Sequence, residues 1–385
     1  MMISRRNLLV GLGVATAWPG MAVAAGGRVL RASISLEENR VLVAVGMVGK
    51  GPYIFLIDTG GVVSLMHDSL ARTLKLPVIG HSKLGGIGGV DIYPIYEARD
   101  FLIGGSVRQA SVALVGARDI HFGNDIEGTL AAGILTMGDT ELDFDAGELR
   151  LYPDGRGERL GFTHLRSSIR RISGRQEESP YIFADIAVGG QAFECLLDTG
   201  APRTLSLFAN AARRSGLWDD SRPYAPIRPS GLGGQGPISR IVRAPSLALG
   251  GLSIERPLVQ LHPPGQQTAA VGDGIAGLAL IRRFNLSIDA RSRSLWVQPS
   301  RQPAVQERYG LSGLWLDRSG GVAEVAAVGT GSPAAEAGMQ VGDRVAGAWQ
   351  DVLRSIGRGP GAAVTLEVDR RGAKRTVSFT LRPYL

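Results

Sequence analysis

The chain has 385 residues, a formal net charge of +7, and 44% hydrophobic and 20% charged side chains. That composition is globular rather than disordered and leaves room for two or three domains. Its single cysteine, Cys195, excludes an intrachain disulfide and a thiolate metal cluster; the five histidines are scattered with no H-E-x-x-H pattern, so neither a metal nor another cofactor is expected.

In chain order, the first signal is Ser4-Arg5-Arg6-Asn7-Leu8-Leu9, followed by a short apolar run interrupted by Gly11 and Gly13 and then by Ala22-Val23-Ala24. It resembles a twin-arginine export leader with an A-x-A cleavage site over residues 1–24, too short an apolar run to span a bilayer. The expected location is therefore exported, periplasmic or secreted, with no stable membrane insertion. Loss of the leader removes Arg5 and Arg6, and the formal charge falls by two to +5. Lysine is scarce and the arginines are spread along the chain, which does not read as a nucleic-acid footprint.

Beyond the leader the chain repeats itself. Phe55-Leu56-Ile57-Asp58-Thr59-Gly60-Gly61 returns 140 residues later as Cys195-Leu196-Leu197-Asp198-Thr199-Gly200-Ala201. Each copy continues to a hydroxyl residue and a leucine, Ser64-Leu65 and Thr204-Leu205, and then to helix-like stretches at 68–74 and 207–215. Glycine-rich tips follow at Gly85-Gly86-Ile87-Gly88-Gly89 and Gly231-Leu232-Gly233-Gly234, with strand-like pieces at 107–115 and 252–261. Ala132-Gly133-Ile134 matches Ala276-Gly277-Leu278, and Leu142-Asp143-Phe144-Asp145 matches Leu286-Ser287-Ile288-Asp289. The 54 glycines without a Gly-x-y period fit many tight turns between short strands. Two copies of one mainly β module are expected, each delivering an aspartate at a strand-to-turn junction.

These paired motifs resemble the aspartic protease family, nearer the retroviral kind than the pepsin kind, over residues 28–298. The resemblance implies two homologous retropepsin-like lobes forming one bilobal unit, at 25–165 and 166–298. It implies that Asp58 and Asp198 form the catalytic dyad, since two carboxyl groups a few ångströms apart share one proton and supply base and acid together. Thr59 and Thr199 are implied to hold the loops together across the lobe interface, and Gly60 and Gly200 to let backbone approach the carboxyls. Gly86, Ile87 and Gly88 in one lobe, and Leu232, Gly233 and Gly234 in the other, are implied to be flaps that lie along a peptide substrate.

One departure from the family has a chemical consequence. Gly61 and Ala201 stand where many pepsin-type lobes have a hydroxyl that stabilises the ionised acid. Its absence predicts raised carboxyl pKa values and a mildly acidic working range. Ser64 and Thr204 read as structural hydroxyls and Cys195 as a buried small hydrophobe. Asp125, Asp143, Asp145, Asp273 and Asp289 read as turn or solvated-edge residues.

Proline and polar residues crowd 298–303, and 299–307 reads as a linker. Beyond it, Ser332-Pro333-Ala334-Ala335 and Ala337-Gly338-Met339-Gln340-Val341-Gly342-Asp343-Arg344-Val345 resemble the signature of bacterial PDZ domains, implying an α+β module at 308–385. Ser332-Pro333 is expected to open a short helix ended by Gly338, with a second helix at 350–356 and strands at 363–369 and 376–381. The resemblance implies that Leu311, Ser312, Gly313 and Leu314 receive a peptide C-terminus, the ligand strand pairing with residues 314–316. The expected activity is that of an exported aspartic endopeptidase acting on unfolded or extended peptides, with PDZ-mediated recruitment; the alternative is a catalytically silent peptide-binding protein on the same fold.

Overall fold

The computed structural model describes residues 27–86, 89–118, 120, 122–172, 178–231, 234–265 and 271–385. The expected leader at 1–24 and the tip residues Ile87, Gly88, Leu232 and Gly233 lie outside the described residues.

The two copies of the repeat fold alike because their apolar runs enter the same turn. In the first, Lys50–Asp58 lies antiparallel to Arg40–Met47 and parallel to Ile126–Ala131, with Asp58 opposite Ala131. Leu65–His67 then runs back antiparallel to Ile126–Ala131. In the second, Gln191–Asp198 lies antiparallel to Tyr181–Val188 and parallel to Gly274–Gly277, with Asp198 opposite Gly277. Leu205–Leu207 runs back antiparallel to Gly274–Gly277. In both, the aspartate ends a strand flanked on both sides, and strands buried on both faces read as the continuous apolar runs seen in the sequence.

A sheet joins the lobes. Asp139–Asp143 of the first pairs antiparallel with Phe284–Asp289 of the second, Leu142 facing Leu286. Thr163–Leu165 joins the far edge of that sheet through Ser294–Pro299. One apolar core runs through both lobes, including Phe55, Phe101 and Leu142 on one side and Phe193, Leu197 and Leu286 on the other.

Two sequence expectations need correction. The strand expected over 252–261 is two strands, Leu252–Glu255 and Leu258–Leu261. Between them Arg256 adopts φ 48°, and Pro257 has no N–H to give a ladder, so the strand breaks. The strand Ser294–Pro299 also extends into the residues read as linker, and irregular chain begins at residue 300.

Residues 314–380 form a separate five-stranded sheet in the order Leu314–Ser319, Val322–Val328, Arg344–Val345, Ala363–Arg370 and Ala373–Thr380. It encloses its own core around Val325, Val345, Val364 and Leu381. Ser332 caps the helix Pro333–Glu336 by accepting a hydrogen bond from the Ala335 amide at 3.2 Å, as Ser-Pro at a helix start leads one to expect. The longer helix is Trp349–Ile356. Among the described residues no helix is long and apolar enough to cross a membrane.

Candidate active site

The two Asp-Thr-Gly turns meet at the lobe interface. Thr59 N donates to Thr199 Oγ1 at 3.1 Å, and Thr199 N donates to Thr59 Oγ1 at 3.0 Å. Each hydroxyl then donates onward into the opposite lobe, Thr59 Oγ1 to Leu197 O at 2.7 Å and Thr199 Oγ1 to Ile57 O at 2.6 Å. Both threonines are buried, at 1% and 2% exposure, so each donor and acceptor would be costly to leave unpaired. Four reciprocal bonds fix the strand ends that carry the aspartates.

The glycines serve proximity. A Cβ at Gly200 would lie 2.6 Å from Asp58 Oδ1, and one at Gly60 would overlap the Asp198 carboxyl. Each glycine therefore lies against the opposite lobe's acid, a packing that no side chain permits. Asp58 Oδ1 accepts from Gly60 N at 3.0 Å. Asp198 Oδ1 accepts from Gly200 N at 2.8 Å and from Ala201 N at 3.2 Å. Backbone amides thus do part of the work that the missing hydroxyls at Gly61 and Ala201 would have done.

Both acids keep some exposure as residues, yet protein packed around the carboxyls desolvates them. Burial, then the neighbouring Asp198 charge, holds Asp58 well above the usual carboxylate range. Burial also raises Asp198, but the Gly200 amide and a hydrogen bond from Asp58 pull the other way. Two like charges in contact cannot both ionise, so the pair holds one proton, favoured on Asp58, and titrates as a unit.

Tyr181 belongs to this neighbourhood, and no sequence signal was read for it. The register that sets Phe183 opposite Leu196 carries Tyr181 to the level of Asp198. Burial first, and then the charges of Asp58 and Asp198, push its phenol up to about 12, so it stays protonated. Pairing of the two DTG-bearing strands with their upstream partners would have indicated it.

The remaining sequence candidates separate clearly. Ser64 Oγ accepts the Ala131 amide at 3.0 Å, a structural bond behind the first turn. Thr204 is engaged through its backbone amide, which donates to Glu307 Oε1 at 3.1 Å. Asp143 and Asp289 cap turn amides, Asp145 accepts from Ser300 and the Arg301 amide, and Asp273 pairs with Arg214 at 2.8 Å. Cys195 is fully buried, and burial pushes its thiol far up.

The glycine-rich tips differ. Gly86 pairs with Gly89 at the end of a long hairpin formed by Val78–Gly86 and Gly89–Ile103. In the second lobe Ser230–Gly231 pairs with Gly234–Gln235, only two residues a side. That shorter hairpin leans on the C-terminal sheet, since Arg228 at its base donates to Asp317 Oδ2 at 2.6 Å and to Gly236 O at 3.3 Å. Nearby, Tyr224 Oη donates to Val328 O at 2.9 Å and Tyr384 Oη to Tyr224 O at 3.1 Å.

In the loop 310–314, Gly313 N donates to Gly310 O and Leu314 N to Ser312 Oγ, both at 3.2 Å. Ser312 is buried, and its carbonyl accepts the Ala334 amide at 3.1 Å. The Gly313 and Leu314 amides are thus occupied within the loop; Leu311 packs beside the core of the C-terminal sheet. Two surface hollows of about 450 and 520 Å³ lie on the outer faces of the lobe hairpins, at residues such as Ala187 and Gly250 or Gly46 and Arg108, away from the dyad.

No family model matches this chain, and none of the curated proteins matches it. Among solved structures, basic 7S globulin from soybean superposes with a TM-score of 0.42 and 9% identity, covering 71% of this chain and 95% of that one. A protein designated edgp does so with a TM-score of 0.44 and 8% identity, covering 71% and 95%. Scores of this size say nothing about chemistry. The chain is mainly β with barrel-like sheets, an architecture consistent with an acid-protease-like fold.

Proposed function

We propose that this chain is an exported aspartic endopeptidase that hydrolyses peptide bonds with water activated between Asp58 and Asp198. The observation that carries the reading is the desolvated pair of carboxyls on turns locked together by reciprocal threonine bonds. In the ground state Asp58 keeps the proton and Asp198, supported by two amides, is the ionised partner. Asp198 takes a proton from the water as its oxygen attacks the carbonyl carbon, while Asp58 protonates the carbonyl oxygen. The resulting gem-diol collapses as one hydroxyl returns its proton to Asp58 and Asp198 protonates the leaving nitrogen. The C–N bond breaks, and the dyad is left with one proton, ready for the next cycle.

The C-terminal sheet is proposed to be a PDZ-type module that recruits peptide chains to the lobes. The leader at 1–24 is proposed to direct export. The hairpins around Gly86 and Gly234 are proposed to close over bound peptide.

The test incubates the chain from Ala25 onward with a diverse unstructured peptide pool between about pH 3 and about pH 7.5, with products read by mass spectrometry. Cleavage abolished by Asp58→Asn and equally by Asp198→Asn, with its optimum in the mildly acidic range, is the expected result. Cleavage surviving either substitution refutes the shared dyad. Absence of cleavage at every pH, with peptide still bound, favours a silent binder.

A further inference from the structure

Several half-buried arginines in this protein are matched to acids. Arg150 contacts Glu141 and Asp143, Arg370 contacts Asp343, and Arg170 contacts Glu194. Two that are not so matched among the described residues, Arg40 and Arg203, lie near the junction of the two catalytic turns. Arg40 begins the strand partnered with Lys50–Asp58; the register that sets Leu42 opposite Leu56 carries its backbone to the level of Asp58, and its guanidinium lies against Gly123. Arg203 lies five residues after Asp198, in the turn that runs on to Thr204. The two segments touch, because Asn39 Nδ2 donates to Pro202 O. Arg282 stands behind them and donates to Asn39 Oδ1 at 3.4 Å.

Both Arg40 and Arg203 are half-buried. Among the described residues, neither forms an ion pair, and the Arg203 guanidinium donates no hydrogen bond. Burial pulls Arg203 below its ordinary value, and Glu307 is the acid that opposes this. Glu307, however, already accepts the Thr204 amide. Glu37 and Glu38 sit on the turn before Asn39 but face solvent, where their charge is screened.

The internal repeat sharpens the anomaly. Counting from the matched Ser64 and Thr204, the first-lobe counterpart of Arg203 is Val63, which packs beside Leu56, Leu65 and Tyr93. An apolar residue therefore suits this position in the fold, and the second lobe carries a desolvated charge there instead. A half-buried guanidinium that forms no direct ion pair is unfavourable, and an incoming carboxylate would supply charge-assisted, bidentate hydrogen bonds.

We propose that Arg40 and Arg203 form a cationic seam between the two catalytic turns that binds an acidic side chain of the substrate, so that the enzyme prefers acidic peptides. This rests on the peptidase reading above. An extended peptide advances ~3.3 Å per residue, so moving an acid one position at a time along the substrate reports which residue reaches the seam.

The experiment compares peptides that differ only by Glu or Gln, scanned through every position around a cleavage site. They are assayed with the wild-type chain and with Arg203→Gln, Arg203→Lys and Arg40→Gln. The expected result is a Glu-over-Gln ratio in kcat/KM of about tenfold at one position. It should fall towards one in both Gln variants, survive in part in Arg203→Lys, and shrink as salt is raised. A wild-type ratio near one at every position, or a ratio unchanged in both Gln variants, overturns the seam. Binding of the same labelled peptides to Asp198→Asn, read by anisotropy, separates the two claims. Tighter binding of the Glu peptide, lost in Asp198→Asn combined with Arg203→Gln, upholds the seam even where the wild type cleaves nothing and the peptidase reading fails. Equal binding of Glu and Gln peptides, or no binding, overturns it.

Discussion

The two lobes share a catalytic turn but differ in what surrounds it. In the first, the hairpin of Val78–Gly86 and Gly89–Ile103 carries its own long ladder, and Tyr96 Oη donates to the buried Asp68 at its base at 2.7 Å. In the second, the hairpin has two residues a side, and its base is joined to the C-terminal sheet through Arg228 and Asp317. The linker residue Glu307 adds a further tie on the Thr204 amide, close to the turn itself. The repeat thus preserves the residues whose geometry the chemistry needs, while one lobe's hairpin is supported from within and the other's from a neighbouring module.

If the turns are equivalent, damage to either should be equal and large. Gly60→Ala and Gly200→Ala each place a methyl group against the opposite carboxyl, and each is expected to lower peptide cleavage by about a thousandfold. Circular dichroism on the same samples checks that the fold is retained. A tenfold gap between the two variants would show that the lobes are not interchangeable at the dyad.

Stability should show the same symmetry. Thr59→Val or Thr199→Val leaves buried partners unpaired in the other lobe, and each is expected to cost about 2–3 kcal/mol in denaturant unfolding. The two substitutions remove different bonds, so the double variant should cost about the sum of the two losses, and any departure from that sum measures the coupling between the turns.

A smaller effect separates the acids. Asp58 has its pKa raised in the folded chain, so the fold binds its proton more tightly than the unfolded chain does. The stability associated with that proton is fully present below the ordinary carboxylate pKa and is lost as pH rises through the raised one. Asp58→Asn should therefore melt higher relative to wild type as pH increases from about 3 towards neutrality. A melting difference independent of pH would contradict the shared proton.

The smallest expected effect lies at the supported hairpin. Arg228→Ala removes a partly exposed ion pair and should change global stability by less than about 1 kcal/mol. Amide exchange at residues 234–236 should accelerate nonetheless, while that of the first hairpin stays unchanged. Equal acceleration in both hairpins would mean that the C-terminal sheet does not support the second one selectively.

Much of this was legible beforehand for a simple reason. A repeated Asp-Thr-Gly with apolar residues before it and a Gly-containing segment after it states a local conformation twice, so the turns, the lobe-to-lobe match and the Ser332 cap could be read from residue order. The break at Arg256 was harder, since alternation across 252–261 looks continuous and only the left-handed φ at Arg256 beside Pro257 divides it.

By itself, the sequence determined which residues form the two acid-bearing turns and why glycine follows each threonine, because strand periodicity and turn chemistry are local properties. Only the tertiary structure decided that Tyr181 lies level with Asp198, that Glu307 reaches the Thr204 amide, and that Asn39 reaches Pro202 in the opposite turn. Those relations join residues from about 20 to more than 150 positions apart, and strand register and lobe packing, rather than any short motif, bring them together.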